Sequence, residues 1–169
     1  VHEFYKGKRN VLTCKNFNTR QEELDLVANS IKEDIINELV QPHHIVVITL
    51  DNQGFKENYT YLQNKLFELG IPSIIPGIGG VERDKFGEEG YVTLSTVFKA
   101  KGNETFIVYV TKFDYLYDYT DFVQVRNRAF TSITRTKGWC NISGIGARMQ
   151  RAIQEIETTK KLIPNFDFI

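Results

Sequence analysis

The chain has 169 residues, 41% hydrophobic and 25% charged, with 21 Lys plus Arg balanced by 21 Asp plus Glu. That length suits one domain with a full core, and the zero net charge excludes a bulk field for nucleic acid, so any such site must be a local patch. Two cysteines (Cys14 and Cys140) make no disulfide framework, no CxxC or His-rich cluster offers zinc ligands, and no apolar run approaches the ~20 residues of a bilayer span. The expectation is a cytoplasmic protein with no membrane partner. Because the first residue is Val1, a piece of a longer chain is expected.

In chain order, NVLTC (10–14) reads as a short strand. Thr19 and Glu22 in TRQE have the spacing of a capping box. Leu24, Val27, Ile31, Ile35 and Leu39 then recur at helical intervals, which predicts a helix to about Val40. His43 and His44 precede a strand, where adjacent side chains point to opposite faces, so they read as a loop pair and not as metal ligands. HIVVITL (44–50) is a β-branched run of the kind buried on both faces of a sheet. Tyr59, Leu62, Leu66 and Leu69 predict an amphipathic helix stopped by Gly70 and Pro72.

PSIIPG (72–77) is another short strand, and GIGGVERDKFGEEG (77–90) is a Gly-rich, charged tract expected to be a mobile connection. YVTLST (91–96) and TFIVYV (105–110) are strands. A helix is expected from about Thr120 to Lys137, closed by Gly138, then a strand at WCNISG (139–144). The last helix runs through about Lys160, with Met149, Ile153 and Ile156 on one side. Strands alternating with helices predict a three-layer α/β/α domain with a mainly parallel sheet. The whole chain, 1–169, is expected to form it.

In open parallel sheets ligands bind at the carboxyl ends of strands. Two segments are expected to put polar residues there. In TLSTVFKAKGNE (93–104), Thr93, Ser95 and Thr96 end a strand, and Lys99, Lys101, Gly102 and Glu104 follow in the turn. Hydroxyls and backbone N–H groups suit phosphate oxygens, and glycine permits close approach; a plain Lys-Gly turn is the competing reading. In RNRAFTSITRTKGW (126–139), Val125, Ala129, Phe130 and Ile133 form an apolar stripe, with Arg128, Thr131, Ser132 and Arg135 opposite. Arg126 falls inside the stripe and needs a carboxylate or carbonyl partner, which makes it structural. Arg135 lies near the helix end, where a planar fork of donors suits a phosphoryl group better than an ammonium does.

STVFKAKGNETFIVYV resembles motif V of the UvrD/Rep-like superfamily 1 helicases, Thr-x-His-x-x-Lys-Gly-x-Glu before a hydrophobic strand. VRNRAFTSITRTKGW resembles their motif VI, Arg-Arg-Leu-x-Tyr-Val-Ala-x-Thr-Arg-Ala. Both stand in the family's order, and IPSII (71–75) resembles the stretch preceding motif V. The likeness covers roughly residues 10–160 in organisation and fewer than forty at motif level.

The resemblance implies a RecA-like domain, the second of the two in a helicase motor, which closes over ATP held with Mg2+ by the first. It implies that Arg135 is an arginine finger on the γ-phosphate, an effect large enough to decide catalysis. Glu104 would hydrogen-bond the ribose, Gly102 would permit close approach to the nucleotide, and Thr96 and Lys99 would contact the nucleic-acid backbone. The implied partners are single-stranded or partly duplex DNA, with RNA as an alternative, and the N-terminal RecA-like domain of the same protein. No metal ligand is assigned to this chain.

The sequence departs from the family pattern at Phe98 (histidine there), Phe130 (tyrosine) and Asn127 (the second arginine). The 77–90 connection is too short for the accessory domain that many relatives insert. No GxxxxGK[ST] loop occurs, so nothing here cradles a β-phosphate and its magnesium, and this chain alone is expected to be inactive on ATP. Two other readings compete. One is a non-catalytic nucleic-acid-binding or interaction module of the same fold. The other is a metal-dependent nuclease using Asp114, Asp118 and Asp121, against which Asp121 fits a helix first-turn charge.

Overall fold

The runs of β-branched residues become the middle of a six-stranded sheet. A computed structural model describes residues 10–81, 86–100, 102–117 and 122–162. In chain order the elements are β1 (Leu12–Phe17), α1 (Arg20–Ile36), β2 (Ile45–Thr49), α2 (Phe55–Glu68), β3 (Ser73–Ile74) and β4 (Val92–Thr96). There follow α3 (Val97–Ala100), β5 (Thr105–Thr111), α4 (Phe122–Ile133), β6 (Thr136–Ile145) and α5 (Gly146–Leu162). The strand order is β1-β6-β5-β2-β4-β3, and every neighbouring pair is parallel. This is the α/β/α arrangement that the alternation of elements predicts, and the RecA-like one that the motif resemblance implies.

All five β2 residues are buried because helices cover both faces of the sheet. On one face Leu24, Val27, Ile31, Tyr59, Leu62 and Leu66 of α1 and α2 pack on Val47, Leu94 and Ile107. On the other, α3, α4 and α5 pack on Val46, Ile48, Val108 and Ile142. Each such side chain contributes roughly 1.5–3 kcal/mol when fully buried. The capping box forms: Thr19 Oγ1 accepts from the Glu22 amide at 3.1 Å and Glu22 Oε2 from the Thr19 amide at 3.3 Å.

Several boundaries differ from expectation. α1 stops at Ile36, because the chain turns through Leu39 (φ 56°) and the Val40 amide returns to the Asp34 carbonyl at 3.1 Å. Leu39 therefore faces solvent instead of extending the stripe. α4 ends at Ile133, and Gly138 does not close it but lies within β6. A Cβ there would stand 2.8 Å from the Phe106 carbonyl oxygen, so close packing against β5 explains the glycine. His43 and His44 sit in a 3-10 turn, which brings their rings together at 4.3 Å instead of sending them to opposite faces.

The stripe on α4 is also rotated. Val125, Ala129 and Ser132 are the buried positions, and Phe130 is 71% exposed. Small residues let the helix approach the sheet, and the Ser132 hydroxyl is satisfied by donating to the Arg128 carbonyl at 2.8 Å. Arg126 does find a carboxylate partner, Glu155 of α5, at 2.8 Å. Of the 77–90 tract, residues 82–85 lie outside the described residues; beside them the Gly77 amide bonds the Val81 carbonyl and the Phe86 carbonyl accepts from Thr93. The 164–169 tail lies outside them too. No helix among the described residues is long and apolar enough to cross a membrane.

Candidate nucleotide and nucleic-acid sites at the two sheet edges

Arg135, Glu104 and Gly102 come together, but at the amino ends of β5 and β6 and not at the carboxyl ends where 93–104 was expected to place them. The reason is the parallel pairing of β4 and β5 with β2 between them. A parallel crossover must carry the chain back to the edge where strands begin. The one-turn α3 does this, with the Asn103 amide closing a turn on the Ala100 carbonyl at 3.1 Å.

Arg135 follows the last turn of α4. Its Nε donates to the Thr131 carbonyl at 3.1 Å, and its own carbonyl accepts from the Thr105 amide at 2.9 Å. The first bond orients the guanidinium, and the second pins the backbone beside the start of β5, one residue from Glu104. The side chain is half-buried and has no carboxylate partner among the described residues. Among the described residues its terminal nitrogens have no acceptor, and each is a donor.

Glu104 pairs with Lys137 at 3.2 Å, both side chains being mostly exposed. Such a pair is weak and exchangeable. Gly102 has φ 87°, the left-handed region that favours glycine, and a Cβ there would meet open space. The backbone conformation requires the glycine, and the space beside it is clear for an approaching group.

At the carboxyl edge, the hydroxyls expected to line a surface divide. Thr93 and Ser95 are buried and bonded to the Phe86 and Thr96 carbonyls at 3.1 and 3.0 Å. Only Thr96 is partly exposed. Lys99 donates its ammonium to the Pro76 carbonyl, just beyond β3. An ammonium has three donors, and among the described residues this is the one bond it makes.

A further group at this edge was not read from the sequence. Arg20 bonds both oxygens of Asp114 at 3.0 Å and also Glu23. Glu23 is fully buried and accepts from the Ser143 hydroxyl at 2.7 Å and the Lys112 amide at 3.0 Å. Burial pushes its carboxyl above the ordinary range, while Arg20, Ser143 and the Lys112 amide pull it back. Lys112 has φ 57° and sends its ammonium to Asp51 and the Gln53 carbonyl, both at 2.6 Å. The signal available was local: Arg20 and Glu23 stand three apart in the first turn of α1, the spacing of a helical ion pair. Asp114 is thus an internal partner of Arg20, and Asp118 and Asp121 lie outside the described residues. No group of three or more His, Cys, Asp or Glu among the described residues is placed to hold a metal ion.

Neither a family model nor a curated protein matches this chain. Among solved structures it is similar to the C-terminal domain of a possible DNA helicase from Lactobacillus plantarum WCFS1. The TM-score is 0.54 and the identity 16%, over 84% of this chain and 78% of that one. At this identity the likeness establishes a shared fold, that of a helicase C-terminal domain.

Proposed function

We propose that this chain is the second motor domain of an ATP-dependent superfamily 1 DNA helicase of the UvrD/Rep-like type. Three things support the reading: the motif V and VI resemblances in the family's order, the fold of a helicase C-terminal domain, and the state of Arg135. The last carries most weight. A guanidinium fixed through Nε by its own helix, with no acid partner among the described residues, is oriented for an anion supplied from outside.

In this reading ATP and Mg2+ are held by a first RecA-like domain, and this chain closes on them. The residues at the amino edge fit that task. Arg135 presents fixed donors to charge developing on the γ-phosphate, and its orientation is set before the reaction. Glu104 exchanges Lys137 for a ribose hydroxyl, and the open space beside Gly102 admits the nucleotide. At the opposite edge, Thr96 and the remaining donors of Lys99 meet the backbone of single-stranded DNA. Nucleotide and nucleic acid are thus read by opposite ends of one sheet, with α4 running between them. The protein works in the cytoplasm on single-stranded or partly duplex DNA.

The test is Arg135→Ala in the helicase carrying both motor domains. DNA-stimulated ATP turnover is expected to fall about 10³-fold or more, with ATP binding retained. Turnover within tenfold of wild type would refute the assignment.

A further inference from the structure

The side chain two residues beyond Thr96 is a large aromatic left in water. Phe98 sits on α3, is 61% exposed, and has the Arg128 guanidinium 5.1 Å from its ring centre. Arg128 is steadied in turn by Gln124 at 3.5 Å. An arginine over one face leaves the other face open to a second flat partner. Neither α3 nor α4 carries an Asp or Glu in its described span, while Lys99 lies on α3 and Arg128 on α4. The surface is therefore aromatic and cationic, with no carboxylate from either helix to repel a polyanion. An apolar protein partner would be poorly served by Lys99 and Arg128; a nucleic-acid base satisfies both features, stacking on the ring while its phosphate meets the cations.

We infer that Phe98, braced by Arg128, is a stacking platform for a base of single-stranded nucleic acid. This rests on the proposed strand contact at Thr96, because two residues of chain reach about 7 Å at most. Thr96 holds backbone and Phe98 holds the adjoining base. The stacking is tolerant of base identity, since every base offers a π face.

The experiment uses the 169-residue chain with two fluorescein-labelled probes at low salt: a 15-residue oligothymidylate, and the same length built of abasic sugar-phosphate units. Binding is followed by anisotropy for wild type, Phe98→Ala, Phe98→Trp and Thr96→Ala, each checked by circular dichroism and by its thermal midpoint. Because Phe98 is exposed, all are expected to melt close to wild type. Phe98→Ala is expected to weaken oligothymidylate binding about 5- to 100-fold, as loss of one stacked base does. Abasic binding is expected to change less than twofold.

Phe98→Trp is expected to bind within threefold of wild type, and its emission is expected to be quenched by the oligothymidylate but not by the abasic chain. Thr96→Ala is expected to weaken both probes alike. Undiminished oligothymidylate binding by Phe98→Ala, with Thr96→Ala impaired, overturns the platform and leaves the strand contact standing. No binding of either probe by wild type overturns both. If instead wild type self-associates in sedimentation and Phe98→Ala abolishes that without changing oligothymidylate affinity, the ring serves a protein interface and the inference fails.

Discussion

The two ends of the sheet hold similar charges in opposite ways. At the carboxyl edge Arg20, Glu23, Asp114, Lys112 and Asp51 are tied to one another, and Glu23 is fully buried. At the amino edge the Arg135 side chain bonds, among the described residues, a carbonyl of its own helix, and Glu104 and Lys137 pair in solvent. Charges locked to each other support the fold and have little capacity for a ligand. Charges held at one end and open at the other cost the fold little and can be used. The rule that ligands sit beyond strand carboxyl ends thus meets a closed network beyond β1, β5 and β6, and leaves the part of that edge beyond β4, where Thr96 and Lys99 lie, for the proposed strand contact.

The sharpest way to break the comparison is to remove one charge from each edge and measure urea unfolding. Glu23→Ala is expected to lose about 3 kcal/mol, because it leaves the Ser143 hydroxyl, the Lys112 amide and part of Arg20 without a buried acceptor. Arg135→Ala is expected to lose no more than about 1 kcal/mol, the net contribution of the one side-chain hydrogen bond it makes to Thr131. Equal losses would erase the distinction between the edges.

A second test needs no charge. A Cβ on Gly144 would lie 2.7 Å from the Asp114 amide nitrogen and 2.8 Å from the Met149 sulfur, at the closed edge. Gly144→Ala is expected to lose about 2 kcal/mol through overpacking. It is also expected to loosen the Ile145 amide, which donates to Asp114 at 3.0 Å, so that this amide exchanges faster with solvent. Tolerance of the methyl group would show that this edge gives way after all.

Next in size is the clamp between α4 and α5. Arg126 and the Tyr117 hydroxyl bond Glu155, holding its carboxyl down to about 2. A depressed acid contributes stability that is fully present above its unfolded value, near 4.5, and is lost as pH falls through about 2. The pair is more than one-third exposed, so solvent screening limits the contribution to about 1 kcal/mol. The stability difference between wild type and Glu155→Gln is therefore expected to be about 1 kcal/mol at pH 7 and to vanish near pH 2. A difference that does not vary with pH would remove the charge from the explanation.

How far the sequence reveals these edges depends on range. The Thr19–Glu22 box and the all-buried β2 are local patterns, and both form. The end of α4 does not follow from periodicity, because TRTKG continues a plausible helix until Gly138 meets Phe106 across the sheet. The rotation of α4 is hidden for a related reason: a wheel ranks Phe130 as apolar, but contact with the sheet selects Ala129 and Ser132 for their size. Arg20 and Asp114 are 94 residues apart, and no spacing announces their pairing. Arg135 and Glu104 were paired only through a family resemblance; their shared edge is a product of parallel topology.

The smallest expected effect is the most discriminating for the open edge. Glu104→Gln keeps the shape of the side chain and removes its attraction to Lys137. An exposed pair of this kind contributes at most about 0.5 kcal/mol, and less as salt screens it. Urea unfolding of Glu104→Gln is therefore expected to match wild type within that margin in 50 mM salt and to be indistinguishable from it in 1 M salt. A loss above about 1 kcal/mol that persists in high salt would mean Glu104 is engaged within the fold, and an engaged carboxylate is not available to exchange Lys137 for a ribose. The proposed nucleotide contact thus requires Glu104 to be nearly silent in folding, because the bond it gives up must be weaker than the one it gains.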